Sequence, residues 1–266
     1  MSLHPRAHVH EKASVGKNVK VDPFALIEED VQIGDGTWIG PHAVIMSGTR
    51  IGEDCKVFPG AVLGADPQDL KYDGEPSTLE IGHRVTVREY CTLNRGTKAR
   101  GITSIMDDTL IMAYCHVAHD CHIGSNVVIA NAVNLAGHVE IGDHAIIGGM
   151  SAVQQFVKIG SHTYIGGGTM VRKDVPPYVK AAREPLTYMG VNSVGLRRRE
   201  FSEENIRVIQ DAYRILFVKG ARLKESIDQL TNEVPSGSIR DEILAFVRSS
   251  KNGLLRGHNR HGDDES

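Results

Sequence analysis

The chain has 266 residues, with 30 Lys and Arg against 33 Asp and Glu, a formal net charge of −3 and 5% aromatic residues. That balance gives no basic excess to suggest a nucleic-acid partner. No apolar run approaches the ~18 residues of a membrane span, and the opening Met1-Ser2-Leu3-His4-Pro5-Arg6 lacks a signal-peptide apolar stretch, so a cytoplasmic protein is expected.

From Leu3 onward an aliphatic residue recurs at every sixth position, through Val9, Val15, Val21, Ile27 and Ile33 to Leu63. The series resumes at Ile81, Val87 and Leu93, then runs from Ile105 to Val171 without a miss. Four residues after each member stands a small residue, as at Ala7, Ala13, Ala25 and Ala43; only Leu63, followed by Pro67, breaks this rule. A period of six fits neither an amphipathic helix nor a simple alternating strand. It fits a parallel β-helix, in which each hexad forms one side of a triangular coil. The aliphatic and small residues then point inward, and coils stack at about 4.8 Å. Such a unit cannot bury its apolar face alone, so stability grows by stacking neighbours. Cys55, Cys91, Cys115 and Cys121 all fall on the small inward position. They read as core filler rather than disulfide or metal ligands.

Two interruptions, 65–80 and 95–104, carry the Pro, Gly and charged residues of excursions from the coil. Loops thrown from a rigid scaffold commonly carry function. Asp174-Val175-Pro176-Pro177-Tyr178 is expected to end the solenoid, since proline removes ladder donors. Beyond about residue 186 the pattern turns helical. Ser202 is placed to cap a helix with Glu203 and Glu204 in its first turn. Ile206, Ile209, Tyr213, Leu216 and Phe217 share one face, and Gly220 would stop it. A second helix fits 223–230. A third follows Pro235, with Ser238 and Asp241 spaced like a capping box and Ile243, Leu244, Phe246 and Val247 as its apolar side. The tail from Arg256 is polar and expected to be disordered. Two domains follow: 1–185, the solenoid, and 186–266, helical with a polar tail.

Histidines crowd one stretch: His116, His119, His122, His138 and His144. His119, Gly137 and Gln155 share one column of the stacked coils, and Asp120 and His138 share the next. His119-Asp120 sets a carboxylate beside an imidazole, and Gly137 leaves its backbone N–H approachable above it. A base, an orienting carboxylate and an exposed amide donor are the parts of an acyl-transfer site. At outward corners the same histidines read equally as solvated polar residues, or as zinc ligands. Gly166-Gly167-Gly168 lacks the Lys-Ser/Thr of a phosphate loop. Arg197-Arg198-Arg199 reads as a solvated charge run, or as a dock for a phosphorylated ligand beside Asn192.

The chain resembles the bacterial acyl-ACP:UDP-N-acetylglucosamine O-acyltransferases, hexapeptide-repeat enzymes that begin lipid A biosynthesis. The likeness runs through Gln68-Asp69-Leu70-Lys71-Tyr72, Arg95-Gly96-Thr97, His116-Val117-Ala118-His119-Asp120-Cys121 and Leu135-Ala136-Gly137-His138. It continues through Asp174–Tyr178, Gly190-Val191-Asn192 and Gly195–Arg199. The resemblance implies a left-handed parallel β-helix with a C-terminal α-helical domain, assembled as a homotrimer with sites between subunits. It implies transfer of a (R)-3-hydroxyacyl chain from acyl carrier protein to the 3-hydroxyl of UDP-N-acetylglucosamine. His119 would be the general base, Asp120 its orienter and the Gly137 amide the oxyanion donor. Gln68, Asp69, Lys71, His116 and His138 would position the sugar or acyl substrate, and Gln155, Asn192, Arg198 and Arg199 would lie near the nucleotide. No metal or dissociable cofactor is implied, because the acyl group arrives on the phosphopantetheine of the carrier protein. Gly167 matches the position used as an acyl-chain ruler. It lies two and two-thirds coils beyond His119, roughly 13 Å along the axis, so a long chain is expected. Gln154-Gln155 replaces a frequent His-Gln, and Asn94 replaces a frequent His before Arg95-Gly96-Thr97.

Overall fold

A computed structural model of the chain describes residues 2–219 and 222–257. The hexads form short strands on three flat faces that alternate along the chain. Face A begins at Ser2–Leu3 and gathers eleven strands, face B begins at His8–Val9 with nine, and face C begins at Ser14–Val15 with eight. The fold is a left-handed parallel β-helix with a helical C-terminal region.

Register follows the repeat. Lys20 pairs with Trp38 and His116 with Asn134, each eighteen residues on. The two excursions lengthen that step without changing the face. Val62 pairs with Thr92 across the first and Thr92 with His116 across the second. Both insertions are therefore whole hexads, and the aliphatic column continues through them unbroken. Ile27, Ile45, Leu63, Leu93, Ile111 and Leu135 are fully buried in it. The four cysteines are free and buried in the same column, as their phase predicts.

The coil turns its corners through one residue in the left-handed region every six positions, among them Asn126, His138, His144 and His162. Asn, Asp and Gly tolerate that conformation best. The same corner position holds Asp120, at φ 60°. Its side chain direction is thus set by the repeat itself.

The prolines at 176 and 177 do not end the solenoid. Ile159 still bridges Val175 in parallel. Val179–Ala182 adds one further parallel strand to Tyr164–Ile165 before Thr187–Val191 returns antiparallel. Both prolines sit in a corner, where no ladder donor is required.

Four helices follow: α1 (Ser193–Arg198), α2 (Glu203–Phe217), α3 (Leu223–Glu233) and α4 (Ser238–Ser249). Ser202 caps α2 by accepting from the Asn205 N–H at 3.1 Å. Ile206, Ile209, Tyr213, Leu216 and Phe217 are its buried face. Tyr213 is fully buried and donates to the Pro177 carbonyl at 2.6 Å, which ties the helices to the solenoid's end. The capping box expected at Ser238 does not form. Gly237 is the N-cap and Ser238 is already helical. Arg256 is not part of a loose tail, since its carbonyl accepts from the Tyr188 N–H at 2.9 Å. Gly220 and the stretch from His258 lie outside the described residues.

Candidate active site

The corner between faces B and C carries the residues that the sequence singles out. His119 and Asp120 occupy the turn after His116–Val117, and Gly137 and His138 occupy the same turn one coil on. The His138 N–H donates to the His119 carbonyl at 3.0 Å, so the two turns stack in register.

Neither His119 nor Asp120 is a solvated corner residue. His119 is 6% exposed and Asp120 0%. The second excursion, 95–104, folds over them. Thr97 donates twice to the Asp120 carboxylate, from its N–H at 2.9 Å and its hydroxyl at 2.7 Å. The Thr103 hydroxyl accepts from the Asp120 N–H at 2.8 Å, and Arg100 donates to the Asp120 carbonyl at 3.1 Å. Burial alone would raise the Asp120 carboxyl. Hydrogen bonds from His119 and Thr97 outweigh it and hold the group below the usual carboxylate range.

An ionised Asp120 can only accept. His119 Nδ1, 2.8 Å from Asp120 Oδ2, therefore carries the proton, and Nε2 is left with a free lone pair. His138 Nε2 stands 3.6 Å from the same oxygen, outside hydrogen-bond range, with its ring edge-on to His119. A side chain at Gly137 would have its Cβ 2.7 Å from His119 Nε2 and 2.6 Å from Cε1. Only glycine admits the imidazole there, and the basic nitrogen faces the backbone of Gly137. The Gly137 N–H finds no acceptor among the described residues.

His116 pairs with the Thr92 hydroxyl at 2.7 Å, and burial lowers its pKa. Burial likewise lowers His138. From the first excursion, Asp69 lies within electrostatic reach of His138. Gln68 and Lys71 point into solvent on the same loop, and Gln155 is exposed one coil above Gly137. Phe156 beside it stacks on His138 at 4.6 Å.

Asn192, Arg198 and Arg199 are not brought to this corner. They line a cavity of about 470 Å³ with Ile146, Tyr164 and Lys180, on face A. Asn192 caps α1, donates to the His162 carbonyl at 2.9 Å and is buried. Arg199 donates to the carbonyls of His144 and Gly195. Arg198 is exposed at the rim. Gly167 sits on a third edge, between faces A and B, where an added Cβ would meet the Gly149 carbonyl oxygen at 3.1 Å. Asn94 is buried and donates to the Asp66 carbonyl at 2.7 Å, while Gln154 is exposed.

One atom from each of His119, Asp120 and His138 lies within 4.8 Å of the others, close enough for a metal ion. The Asp120 oxygens, however, already accept from Thr97 and His119. A metal would have to displace those bonds.

Sequence reasoning missed Thr97. Its hexad phase marks it as inward filler after Leu93. The signal was the longer register across the second excursion, which sets Thr97 one coil below Cys121 and so beside Asp120.

Residues 174–255 match the family described as UDP N-acetylglucosamine O-acyltransferase, domain 2, and 30–65 and 102–137 match bacterial transferase hexapeptide repeats. The acyl-[acyl-carrier-protein]–UDP-N-acetylglucosamine O-acyltransferase of Paraburkholderia xenovorans (strain LB400) is 48% identical over 259 residues, 96% of this chain and 99% of that one. The chain belongs to this acyltransferase family. The solved UDP-N-acetylglucosamine acyltransferase of Bacteroides fragilis 9343 superposes with a TM-score of 0.93 at 42% identity, covering 95% of this chain and 99% of that one. The enzyme from Francisella novicida gives 0.94 at 35% identity, covering 97% and 95%. The chain is thus an acyltransferase, and among its described residues no helix is long and apolar enough to cross a membrane.

Proposed function

We propose that the enzyme transfers a (R)-3-hydroxyacyl chain from acyl carrier protein to the 3-hydroxyl of UDP-N-acetylglucosamine, in the cytosol, with His119 as general base. The observation that carries this reading is the pairing of His119 Nδ1 with a buried Asp120 while Nε2 faces Gly137. Nε2 takes the proton of the sugar hydroxyl as the oxygen attacks the thioester carbonyl. The Gly137 N–H stabilises the tetrahedral oxyanion. The carrier thiolate then leaves, taking back a proton, and the ester remains on the sugar. Asp120 holds the tautomer and favours the imidazolium. No metal or cofactor enters any step.

The reading also requires a second copy. His119 and Arg198 lie on different edges of one prism, so a single substrate reaches both only across a subunit contact. The outward residues support such a contact. Faces A and B present Leu110, Val128, Ile146 and Tyr164, and Val44, Val62, Ala152 and Met170. Face C presents Arg50, Glu80, Glu140 and Lys158. Packing face A of one copy on face B of the next buries the apolar pair in a ring. It brings the His119 edge of one copy beside the Arg198 edge of its neighbour. Three copies is the number the family resemblance implies. Gln68, Asp69, Lys71, His116 and His138 then serve the sugar and acyl groups, and Gln155, Asn192, Arg198 and Arg199 the nucleotide. From the His119 edge to Gly167 the acyl chain would cross face B past Ala152. Gly167→Met is expected to shift preference to shorter acyl chains, and an unchanged preference across a chain-length series would remove Gly167 from that role.

The deciding experiment incubates the protein with UDP-N-acetylglucosamine and 3-hydroxyacyl-ACP in EDTA and follows the nucleotide sugar by mass spectrometry. One added hydroxyacyl group is expected. His119→Ala is expected to lower the rate by about 10²–10⁴. Undiminished turnover in that variant, or loss of wild-type activity in EDTA, would overturn the mechanism.

A further inference from the structure

The first excursion carries Gln68, Asp69 and Lys71, yet its tip does not pack on the solenoid. Leu70 is wholly exposed there. The tip's own hydrogen bonds are local. The Lys71 N–H donates to the Asp69 carboxylate at 3.0 Å, and the Asp73 N–H to the Glu75 carboxylate at 2.9 Å. Among the described residues, every hydrogen bond that leaves 66–76 ends at Asn94, Arg95 or Lys98, where the second excursion begins. What holds the first excursion is therefore the second.

Arg95 alone among these ties reaches both ends of the segment that bears the three polar side chains. One terminal nitrogen of its guanidinium donates to the Asp66 carboxylate and, at 3.2 Å, to the Tyr72 hydroxyl. Asp66 and Tyr72 bracket 68–71 in the chain. The other terminal nitrogen donates to the Ser47 carbonyl at 3.2 Å, on the solenoid itself. Gly48 leaves room for the arginine, since an added Cβ there would stand 3.0 Å from its side chain. The Arg95 side chain is 18% exposed against 64% for Asp66, so the arginine is the fixed member and the loop is what it holds. An exposed ion pair is worth little. A planar fork shared among three oxygens, one of them on the scaffold, sets a geometry that a single ammonium cannot.

Two residues on, Thr97 clamps Asp120. The short segment 95–97 thus grips the first excursion at one end and the partner of the base at the other. Asp69 lies within electrostatic reach of His138. An amide, a carboxylate and an ammonium suit the hydroxyl and amide groups of a sugar, not the methylenes of an acyl chain. We propose that Arg95 is a positioning residue for the acceptor: by clamping Asp66 and Tyr72 it holds Gln68, Asp69 and Lys71 against the sugar, acting through them rather than on the substrate. The inference rests on the proposed reaction and adds what fixes the acceptor's sugar beside His119.

The test reads Arg95→Ala against UDP-N-acetylglucosamine as substrate and UDP, which lacks the sugar, as inhibitor. The KM for the UDP-sugar should rise by about ten-fold, with kcat within about two-fold and the Ki of UDP unchanged. Asp66→Ala, on the exposed side of the clamp, should do the same. The double variant should be no worse than either, because both break one contact. Trypsin gives a readout that needs no turnover: cleavage of the full protein after Lys71, followed by mass spectrometry, should quicken several-fold in both single variants. An unchanged KM, an equal rise in the Ki of UDP, additive effects of the two substitutions, or cleavage at the wild-type rate would each overturn the proposal. A fall in kcat with KM unchanged would overturn it as well, by confining Arg95 to the Thr97 clamp. Absence of any acylated sugar from the wild type would instead defeat the proposed reaction, and cleavage after Lys71 would still decide whether Arg95 holds the loop.

Discussion

Asp120 holds more of the site together than its neighbours do. It accepts from His119 and twice from Thr97, and its own N–H is bound by Thr103. A hydrogen bond to a charged group is worth about 1.5–3 kcal/mol. Thr97→Val removes the 2.7 Å hydroxyl contact while keeping the 2.9 Å N–H contact. The rate is expected to fall by about ten-fold or more, with the KM for the UDP-sugar little changed and Thr97→Ser restoring turnover. Full activity in Thr97→Val would show that Asp120 needs no such clamp. The two arginines separate in the same way. Arg198 is exposed at the cavity rim, whereas Arg199 is spent partly on the carbonyls of His144 and Gly195. Arg198→Ala should raise the KM for UDP-N-acetylglucosamine without changing the melting temperature. Arg199→Ala should raise the KM and lower the melting temperature together. Unchanged KM values in both would return the pair to a surface charge run.

At the scale of the element, the corner between faces C and A carries a ladder of rings. His144 stacks on His162 at 4.8 Å and His162 on Tyr178 at 5.5 Å, with Phe201 edge-on at 5.0 Å from His162. Burial, with smaller effects of His144 and Arg199, pushes the His162 pKa from 6.5 down to about 4. Asp143 opposes that shift only weakly. The native state therefore prefers neutral His162. Its contribution is complete above pH 6.5, the unfolded value, and is lost as pH falls toward 4. The full shift corresponds to about 3 kcal/mol. The urea midpoint should drop between pH 6.5 and 4, and His162→Phe should drop less over the same interval. Parallel curves would mean that His162 titrates alike in both states.

The described residues present an apolar edge to solvent, flanked by apolar stretches on faces A and B. Phe24, Tyr90, Tyr114 and Met150 run along the edge between faces A and B, 49% to 78% exposed. A patch of that extent marks an interface. Sedimentation should give three times the 29.0 kDa chain mass, and Tyr114→Glu with Met150→Glu should reduce it. The proposed sharing of sites between copies also predicts complementation. At UDP-N-acetylglucosamine well below the raised KM, co-refolded His119→Ala and Arg198→Ala chains should regain part of the activity that each lacks alone. No recovery on mixing would place both residues in a site within one copy.

The sequence by itself determined the solenoid. A strict period of six leaves each residue only one phase, and phase decides whether it points into the column or out of it. The buried aliphatic series, the four core cysteines, the capped α2 and the stacking of Gly137 over His119 all follow from counting residues. Only the tertiary structure decided what covers the corner. The sequence reading set His119 and Asp120 outward in solvent, and they are buried because the 95–104 excursion folds back on them through Thr97 and Arg100. Likewise the two prolines that were expected to stop the solenoid fall in a corner, and Ser238 gives way to Gly237 as the cap of α4. A repeat fixes what lies one coil above or below. Where an excursion lands, and which edge the C-terminal segment closes, depends on contacts between residues far apart in the chain, which no local period encodes.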